Sequence, residues 1–520
     1  MEFIHDQVFE TAKNFSNKPA ISIGRESLSY SELNDAAIDL AKKINQLGFL
    51  NAPIGILAER KIETYINILG VLYAGCHYVP IGINSNFKKQ EFTISISKTN
   101  LVLGSKIALS DLIKSLNITS SEKWKLDKPS QNFYIAIKKN GAFNQNKTIN
   151  SFQIKTKTTA LAYILFTSGS TGIPKAVPIS HKNISSFFHS FFNNVTFSPG
   201  AKVSQFYDLT FDPSVLDIFG SWINGCELCV VPEDEVFDPS AFIKREKIQI
   251  WNSVPTIAVF MSKMKRLKNN EFPELKLSFF CGEPFPKTLA DEWKNAAPNS
   301  SLANIYGPTE TTIVVTQFNY DKEQNIGNFK NGVLPIGKPY KNVKIQIIDE
   351  HKNILPKGVV GEIVIGGNQV SSGYLNSTEK TAFSFLKFPW DKDGEFWYRT
   401  GDLGFFNDQG NIECLGRLDS QIKIGGKRIE IGEIESVLRS IPILSTTVVV
   451  ALKDKNLQPT KLVGFVLEEF TQSQMSAAIK LARDSLDPIF IPTMFFHIER
   501  FPTLDNGKIN KKELEKIAYT

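Results

Sequence analysis

The sequence predicts an α/β protein with more than one domain, and three observations carry that reading. Short apolar stretches alternate with amphipathic helical stretches along most of the chain, the pattern of βα units around parallel or mixed sheets. The length, 520 residues, exceeds what one hydrophobic core usually serves. Near residue 420 the rhythm changes to a compact succession of helix, two strands, helix and basic tail, which reads as a small separate α+β unit.

In chain order, ETYINILGVLYAGCHYVPIG (63–82) reads as a helix ending near Gly75 and feeding an extended YVPI. FYIAI (133–137) is a short strand within an Asn-, Lys- and Gln-rich stretch expected at the surface from Lys128 to Lys157. LAYILF, ELCVVP, IQIWNSV and LSFFCG are apolar, bounded by turn residues and short enough to be buried strands. Beyond residue 420, GEIESVLRSI is a helix, TTVVVAL and KLVGFVLE are strands, and QSQMSAAIKLARDSL is a second helix.

Composition narrows the function classes. Hydrophobic residues make up 42% and charged residues 22%, and a formal charge of +6 spread over the chain favours no particular partner. Basic residues cluster only briefly, as from Lys263 to Lys268, without a basic stripe interleaved with aromatics, so nucleic-acid binding is not expected. The start, MEFIHDQVFETAKNF, lacks the basic, apolar and small-residue regions of a signal peptide. No apolar run reaches the roughly 18 residues of a spanning helix, so membrane insertion is not expected and a cytoplasmic location is. Cysteines at 76, 226, 229, 281 and 414 are read as thiols. The Cys226-x-x-Cys229 pair lacks a second Cys or His pair at zinc spacing and reads as buried strand cysteines.

YILFTSGSTGIPKAV (163–177) passes from a buried strand into hydroxyls, glycines and a lysine. Hydroxyls of Thr167, Ser168, Ser170 and Thr171, with backbone N–H groups around Gly169, would form an anion cradle, and Lys175 would add a positive charge. The spacing is not that of a Walker loop. Further motifs follow in order: NIYGPTETT (304–312), YRTGDLG (398–404), GRLDSQIKIGGKRIEIGEIE (416–435) and PTLDNGKINKKEL (502–514).

Together with LSYSEL (28–33) and LYAGCHYVPI (72–81), these motifs resemble the adenylate-forming superfamily over nearly the whole chain. The closest resemblance is to the amino-acid adenylation domains of nonribosomal peptide synthesis and to stand-alone D-alanine:carrier-protein ligases. It implies a large N-terminal domain, residues 1–418, of two αβ-layered sheets and a β-barrel. A small mobile C-terminal domain, 419–520, would turn on a hinge at Asp419. The implied chemistry is attack of a carboxylate on the ATP α-phosphate, giving an acyl-adenylate and pyrophosphate. The acyl group then passes to a phosphopantetheine thiol. Such chemistry needs charge neutralisation and positioning more than acid or base groups.

By the same resemblance, Asp402 accepts from the ribose hydroxyls with Arg417 nearby, Tyr306 stacks on adenine, and Asn304 meets its amino edge. Gly307 and Thr309 complete the nucleotide-binding motif, and Glu310 helps hold Mg²⁺. Lys508 bridges the carboxylate and α-phosphate. In FYDLTFDPSVLDIFG, Asp212 matches the aspartate that pairs with a substrate α-ammonium. Aligned pocket positions are Pro213, Leu216, Asn252, Phe279, Cys281, Ile305 and Ile313, and bulky Phe279, Ile305 and Ile313 leave room for a small neutral amino acid. Cys281 before Gly282-Glu283 resembles the D-alanine ligases; D-alanine, L-alanine and glycine all satisfy the reading. Ala176 after the lysine and Gly425 in GGKR depart from the common pattern without touching an expected catalytic atom.

No segment resembles a carrier or condensation domain, so a separate phosphopantetheinylated carrier protein is the expected acceptor. An acyl-CoA or aryl-CoA ligase is the alternative, opposed by Asp212. A non-catalytic nucleotide-binding relic is the second, opposed by Lys175, Asp402 and Lys508.

Overall fold

Six segments, Pro19–Ile23, Glu227–Val230, Lys202–Gln205, Ile250–Ser253, Leu277–Cys281 and Ser301–Tyr306, lie side by side in that spatial order as parallel strands. Antiparallel strands at both edges complete a nine-stranded sheet. A seven-stranded sheet has a parallel centre of Leu101–Gly104, Pro53–Leu57, His77–Ile81 and Leu161–Thr167, flanked by antiparallel partners. These relations come from a computed structural model, which describes the chain except residues 1–2, 120–122, 131–132, 139–159, 168–173, 324–328, 330–331, 419–420, 425–426, 454–458, 504–508 and 520.

The continuous apolar runs of the central strands fit a sheet covered on both faces. The helix Ile62–Tyr73 is apolar on every side and buried along its length apart from Glu63, as a helix between two layers must be. It stops at Gly75, whose φ of +71° suits glycine best, and the chain re-enters as the strand His77–Ile81. The helix Tyr30–Gln46 starts at a capping box in which Ser29 and Glu32 satisfy each other's backbone N–H groups. FYIAI lies in the strand Phe133–Lys138, and a second strand, Trp124–Ser130, pairs with it antiparallel where none was expected.

Where the resemblance implies a barrel, five strands between Val343 and Arg417 form an antiparallel sheet. A bridge between Gly337 and Ile412 ties it to the segment leaving the nine-stranded sheet. Further on, a hairpin of Gln421–Ile424 and Lys427–Glu430 precedes the helix Ile431–Arg439. A three-stranded sheet of Val448–Lys453, Pro459–Val466 and Met494–His497 follows, with the helix Gln472–Arg483 inserted. Two core clusters there draw only on residues from 422 to 518, as expected of a unit with its own interior.

All five cysteines are free thiols, and burial pushes the Cys226 and Cys229 thiols up to about 12. Among the described residues no helix is long and apolar enough to cross a membrane.

Candidate active site

Parallel strands expose their loops at their carboxyl ends, and in open α/β sheets ligand crevices form there. Here the carboxyl ends of both large sheets meet at one cavity of about 190 Å³. Thr167 ends its strand in the seven-stranded sheet. Tyr207, Val254, Cys281 and Tyr306 stand at or just beyond strand ends in the nine-stranded sheet. Asp402 and Arg417 of the five-stranded sheet close one side, and Ile429, Glu433, Ser485, Asp487 and Phe490 close another.

The Asp402 side is held by register. Asp402 and Arg417 are direct partners across an antiparallel ladder, and the guanidinium donates to the carboxylate at 2.9 Å and to the Thr400 carbonyl at 2.7 Å. Tyr306 donates its hydroxyl to the other Asp402 oxygen. Burial, then the neighbouring Asp402 carboxylate, raises the Tyr306 phenol well above its ordinary value, so it remains a donor. Thr167 Oγ1 is buried at the cavity with no hydrogen-bond partner among the described residues. A cradle with hydroxyl, carboxylate, guanidinium and an aromatic ring fits a nucleotide. Asn304 is different: it does not border the cavity, and its amide donates to the Pro335 carbonyl at 2.8 Å. The Leu334 carbonyl lies within reach of the same amide at 3.4 Å, so the structure does not bring Asn304 to the cavity beside Tyr306.

At the opposite side, Asp212 precedes Pro213, the first residue of the buried helix Pro213–Ile223, and both border the cavity with Cys281. An anionic group at a helix N-terminus is favoured by the helix dipole. Of the other expected pocket residues, Leu216, Asn252, Phe279, Ile305 and Ile313 are buried without bordering the cavity. Cys281 pairs with Ile305 in one row of the sheet, and Phe279 lies two residues back on the same face, paired with Asn252 and Ala303. Phe279 packs against Phe191 and Phe197, with ring centroids 5.7 and 6.4 Å away. Asn252 donates at 2.9 Å to Asp217, a carboxylate whose pKa burial drives well above the usual range.

Between the two sides, the loop after Tyr306 is held in an unfavourable backbone. Thr312 and Ile313 have φ of 62° and 69°, uncommon for β-branched residues. A Cβ on Gly307 would lie 2.5 Å from the Ile313 carbonyl oxygen, so only glycine lets the turn close. The Gln369 side-chain amide donates to the carbonyls of Thr311, Thr312 and Val314, and the Gln369 main-chain carbonyl accepts from Thr312 Oγ1 at 2.6 Å. Such over-determination lets strain of about 1 to 3 kcal/mol per residue persist. Within this loop Glu310 has no exposed surface and accepts from the Tyr374 hydroxyl at 2.8 Å. The Lys175 ammonium lies 5.1 Å over the Tyr374 ring. Lys175 and Glu310 thus approach the same tyrosine, behind the cavity wall rather than on it, while Gly307 and Thr309 border the cavity. Among the described residues no group of three His, Cys, Asp or Glu is placed to hold a metal. Magnesium is commonly held through one or two carboxylates plus substrate phosphates, and Glu310 is the carboxylate that the loop after Tyr306 carries.

Ser168, Gly169, Ser170, Thr171, Asp419 and Lys508 lie outside the described residues. Sequence reading passed over Tyr207, Asp208 and Gln369, and the contribution of Ser485 to Phe490 to the cavity. The first two stand in FYDLTFD, directly before the singled-out aspartate, and that adjacency was the available signal.

The model of the AMP-binding enzyme family matches residues 8–375. Tyrocidine synthase 1 of Brevibacillus parabrevis is 32% identical over 522 residues, covering 99% of this chain and 45% of that protein. The chain thus spans less than half the length of this curated relative. The solved adenylation domain AlmE of Vibrio cholerae, in complex with glycyl-adenosine-5'-phosphate, is similar with a TM-score of 0.83 at 26% identity, covering 99% of this chain and 98% of that one. NpsA-ThdA, an artificially fused adenylation-PCP di-domain from Klebsiella oxytoca, shares the fold with a TM-score of 0.75 at 20% identity, covering 96% and 94%.

Proposed function

This chain belongs to the AMP-binding enzyme family, and from that premise we propose that it activates a small neutral amino acid, glycine or alanine, as its adenylate. The aminoacyl group then passes to the phosphopantetheine thiol of a separate carrier protein. One observation carries the amino-acid reading: Asp212 borders the same cavity as Tyr306, Asp402 and Arg417. A carboxylate there complements an ammonium, an attraction that a fatty or aryl acid cannot offer. Phe279, packed against Phe191 and Phe197 beneath Cys281, supports the small side chain. So does the glycyl-adenylate bound by the similar AlmE domain.

In this reading Tyr306 is the adenine platform, and Asp402, oriented by Arg417 and Tyr306, receives the ribose hydroxyls. The hydroxyl loop with Thr167 and Lys175 holds the β- and γ-phosphates. Mg²⁺ on Glu310 would supply further charge neutralisation when bound. Asp212 fixes the ammonium and so sets the carboxylate's approach to the α-phosphate, where Lys508 balances the charge that develops. The division at Asp419 belongs to the same proposal, with residues 419–520 presenting different faces in the two half-reactions.

The test is product analysis. Enzyme with MgATP and glycine or alanine should release pyrophosphate and retain an aminoacyl-adenylate detectable by mass spectrometry, which free pantetheine then converts to an aminoacyl thioester. Release of ADP and phosphate, or an adenylate formed only with acids lacking an amine, would overturn the reading.

A further inference from the structure

Tyr207 follows the strand Lys202–Gln205 and borders the cavity together with Asp212 and Cys281, yet the sequence motifs do not single it out. It is 6% exposed, and its hydroxyl has no hydrogen-bond partner among the described residues. A buried phenol with an unmade hydrogen bond is costly to keep, and a ligand that supplies the partner recovers that cost.

Its surroundings state what kind of ligand. Burial acts most strongly on the phenol, followed by the Cys281 thiol and the carboxyl groups of Asp217, Glu283 and Asp212, none of the three more than 8% exposed. Glu283 is fixed by the backbone N–H and hydroxyl of Thr256, at 3.0 and 2.6 Å. Asp217 accepts from the Asn252 amide at 2.9 Å and lies against the backbone of Phe206 and Tyr207, which sets the segment carrying the phenol beside the helix that Asp212 begins. The Gln205 amide, in turn, donates to the Tyr207 carbonyl. The phenol is thus rigidly mounted on the cavity that Asp212 also borders, and a carboxylate there favours a cation over a second carboxylate. An ammonium brings three N–H donors, more than Asp212 alone would orient, and the phenol oxygen keeps lone pairs with which to accept one.

We propose that Tyr207 is a positioning and specificity-determining residue whose hydroxyl accepts a hydrogen bond from the α-ammonium of the bound amino acid, beside Asp212. The inference rests on the amino-acid reading above and adds a second recognition group for the amine. It also predicts how the pocket rejects an α-hydroxy acid of the same size. That analogue offers one donor where the site is built for several, and it carries no positive charge for Asp212 to meet.

The test is Tyr207→Phe in the full chain, which keeps the ring and removes only the hydroxyl. ATP–pyrophosphate exchange is measured with glycine and alanine, and with the hydroxy acids glycolate and lactate. The amino-acid KM should rise about 10- to 100-fold, the range for a hydrogen bond to a charged group, with the ATP KM unchanged. Discrimination between alanine and lactate should narrow by a similar factor. A thermal melt like that of the unmodified protein shows that the fold is kept. An unchanged amino-acid KM and unchanged discrimination, in a protein that does exchange with amino acids, would overturn the role of Tyr207 alone. Parallel rises in both KM values would overturn it too, since they mark a structural role. An unmodified protein that exchanges with no amino acid would remove the underlying reading, which is a different failure.

Discussion

At the nucleotide end of the cavity, Asp402 and Arg417 face each other across a ladder and Tyr306 completes the set, so both carboxylate oxygens have donors before any ligand arrives. At the amino-acid end the polar groups are less complete. Tyr207 Oη, one Asp217 oxygen and the Asn252 carbonyl are buried without hydrogen-bond partners among the described residues, and the walls behind Cys281 are aromatic packing. The difference teaches that the two ends recognise by different means. The first offers a preformed polar template suited to a common nucleotide. The second couples charge complementarity to a filled volume, the combination that selects among side chains.

The strongest way to break this comparison is at the residue expected to span both ends. Lys508→Ala should lower adenylate formation by roughly two or more orders of magnitude while transfer from a supplied adenylate stays nearly intact. Half-reaction assays check this, and equal losses in both would contradict a role confined to adenylation.

Next in size is Asp402→Ala, which leaves the Arg417 guanidinium and the Tyr306 hydroxyl without their acceptor. Breaking a buried charge pair costs about 3 to 5 kcal/mol, and the loss should fall on the ATP KM. Asp212→Ala mirrors it at the other end: about 2 to 5 kcal/mol, read in exchange with the amino acid, while ATP affinity is kept. Steady-state kinetics with each substrate varied in turn separates the two, and if both variants lost the same KM the ends would not be distinct.

Much of this arrangement was legible in the sequence because the motif residues sit at strand ends, where local pattern and position coincide. The strands LAYILF, IQIWNSV and LSFFCG lie where their apolar runs place them, Cys281 reaches the cavity from such an end, and Asp212 reaches it from the start of the helix Pro213–Ile223. Asn304 shows the limit. Its amide is taken by the Pro335 carbonyl, 31 residues along the chain, a contact that a motif match alone does not show. Tyr207 was not legible, since its significance depends on carboxylates contributed by Asp212, Asp217 and Glu283 meeting in space. Gln369 was hidden for the same reason: its three acceptors lie more than fifty residues earlier, and only the folded loop brings them to one amide.

The smallest expected effect sharpens the comparison from the packed side. Phe279→Leu should open room beneath Cys281 and shift preference from alanine towards longer side chains by about 1 to 3 kcal/mol in relative kcat/KM. ATP kinetics should not change, and competition between alanine and valine measures the shift.

The central claim, a charge-selective and size-limited amino-acid site joined to a nucleotide template, is tested most directly by ATP–pyrophosphate exchange. The screen covers the proteinogenic amino acids, their D-enantiomers, and fatty and aryl acids. The account predicts that glycine or one enantiomer of alanine gives the highest kcat/KM, with leucine and phenylalanine far below and acids lacking an amine inactive. Highest exchange with a fatty acid, an aryl acid or phenylalanine would contradict it.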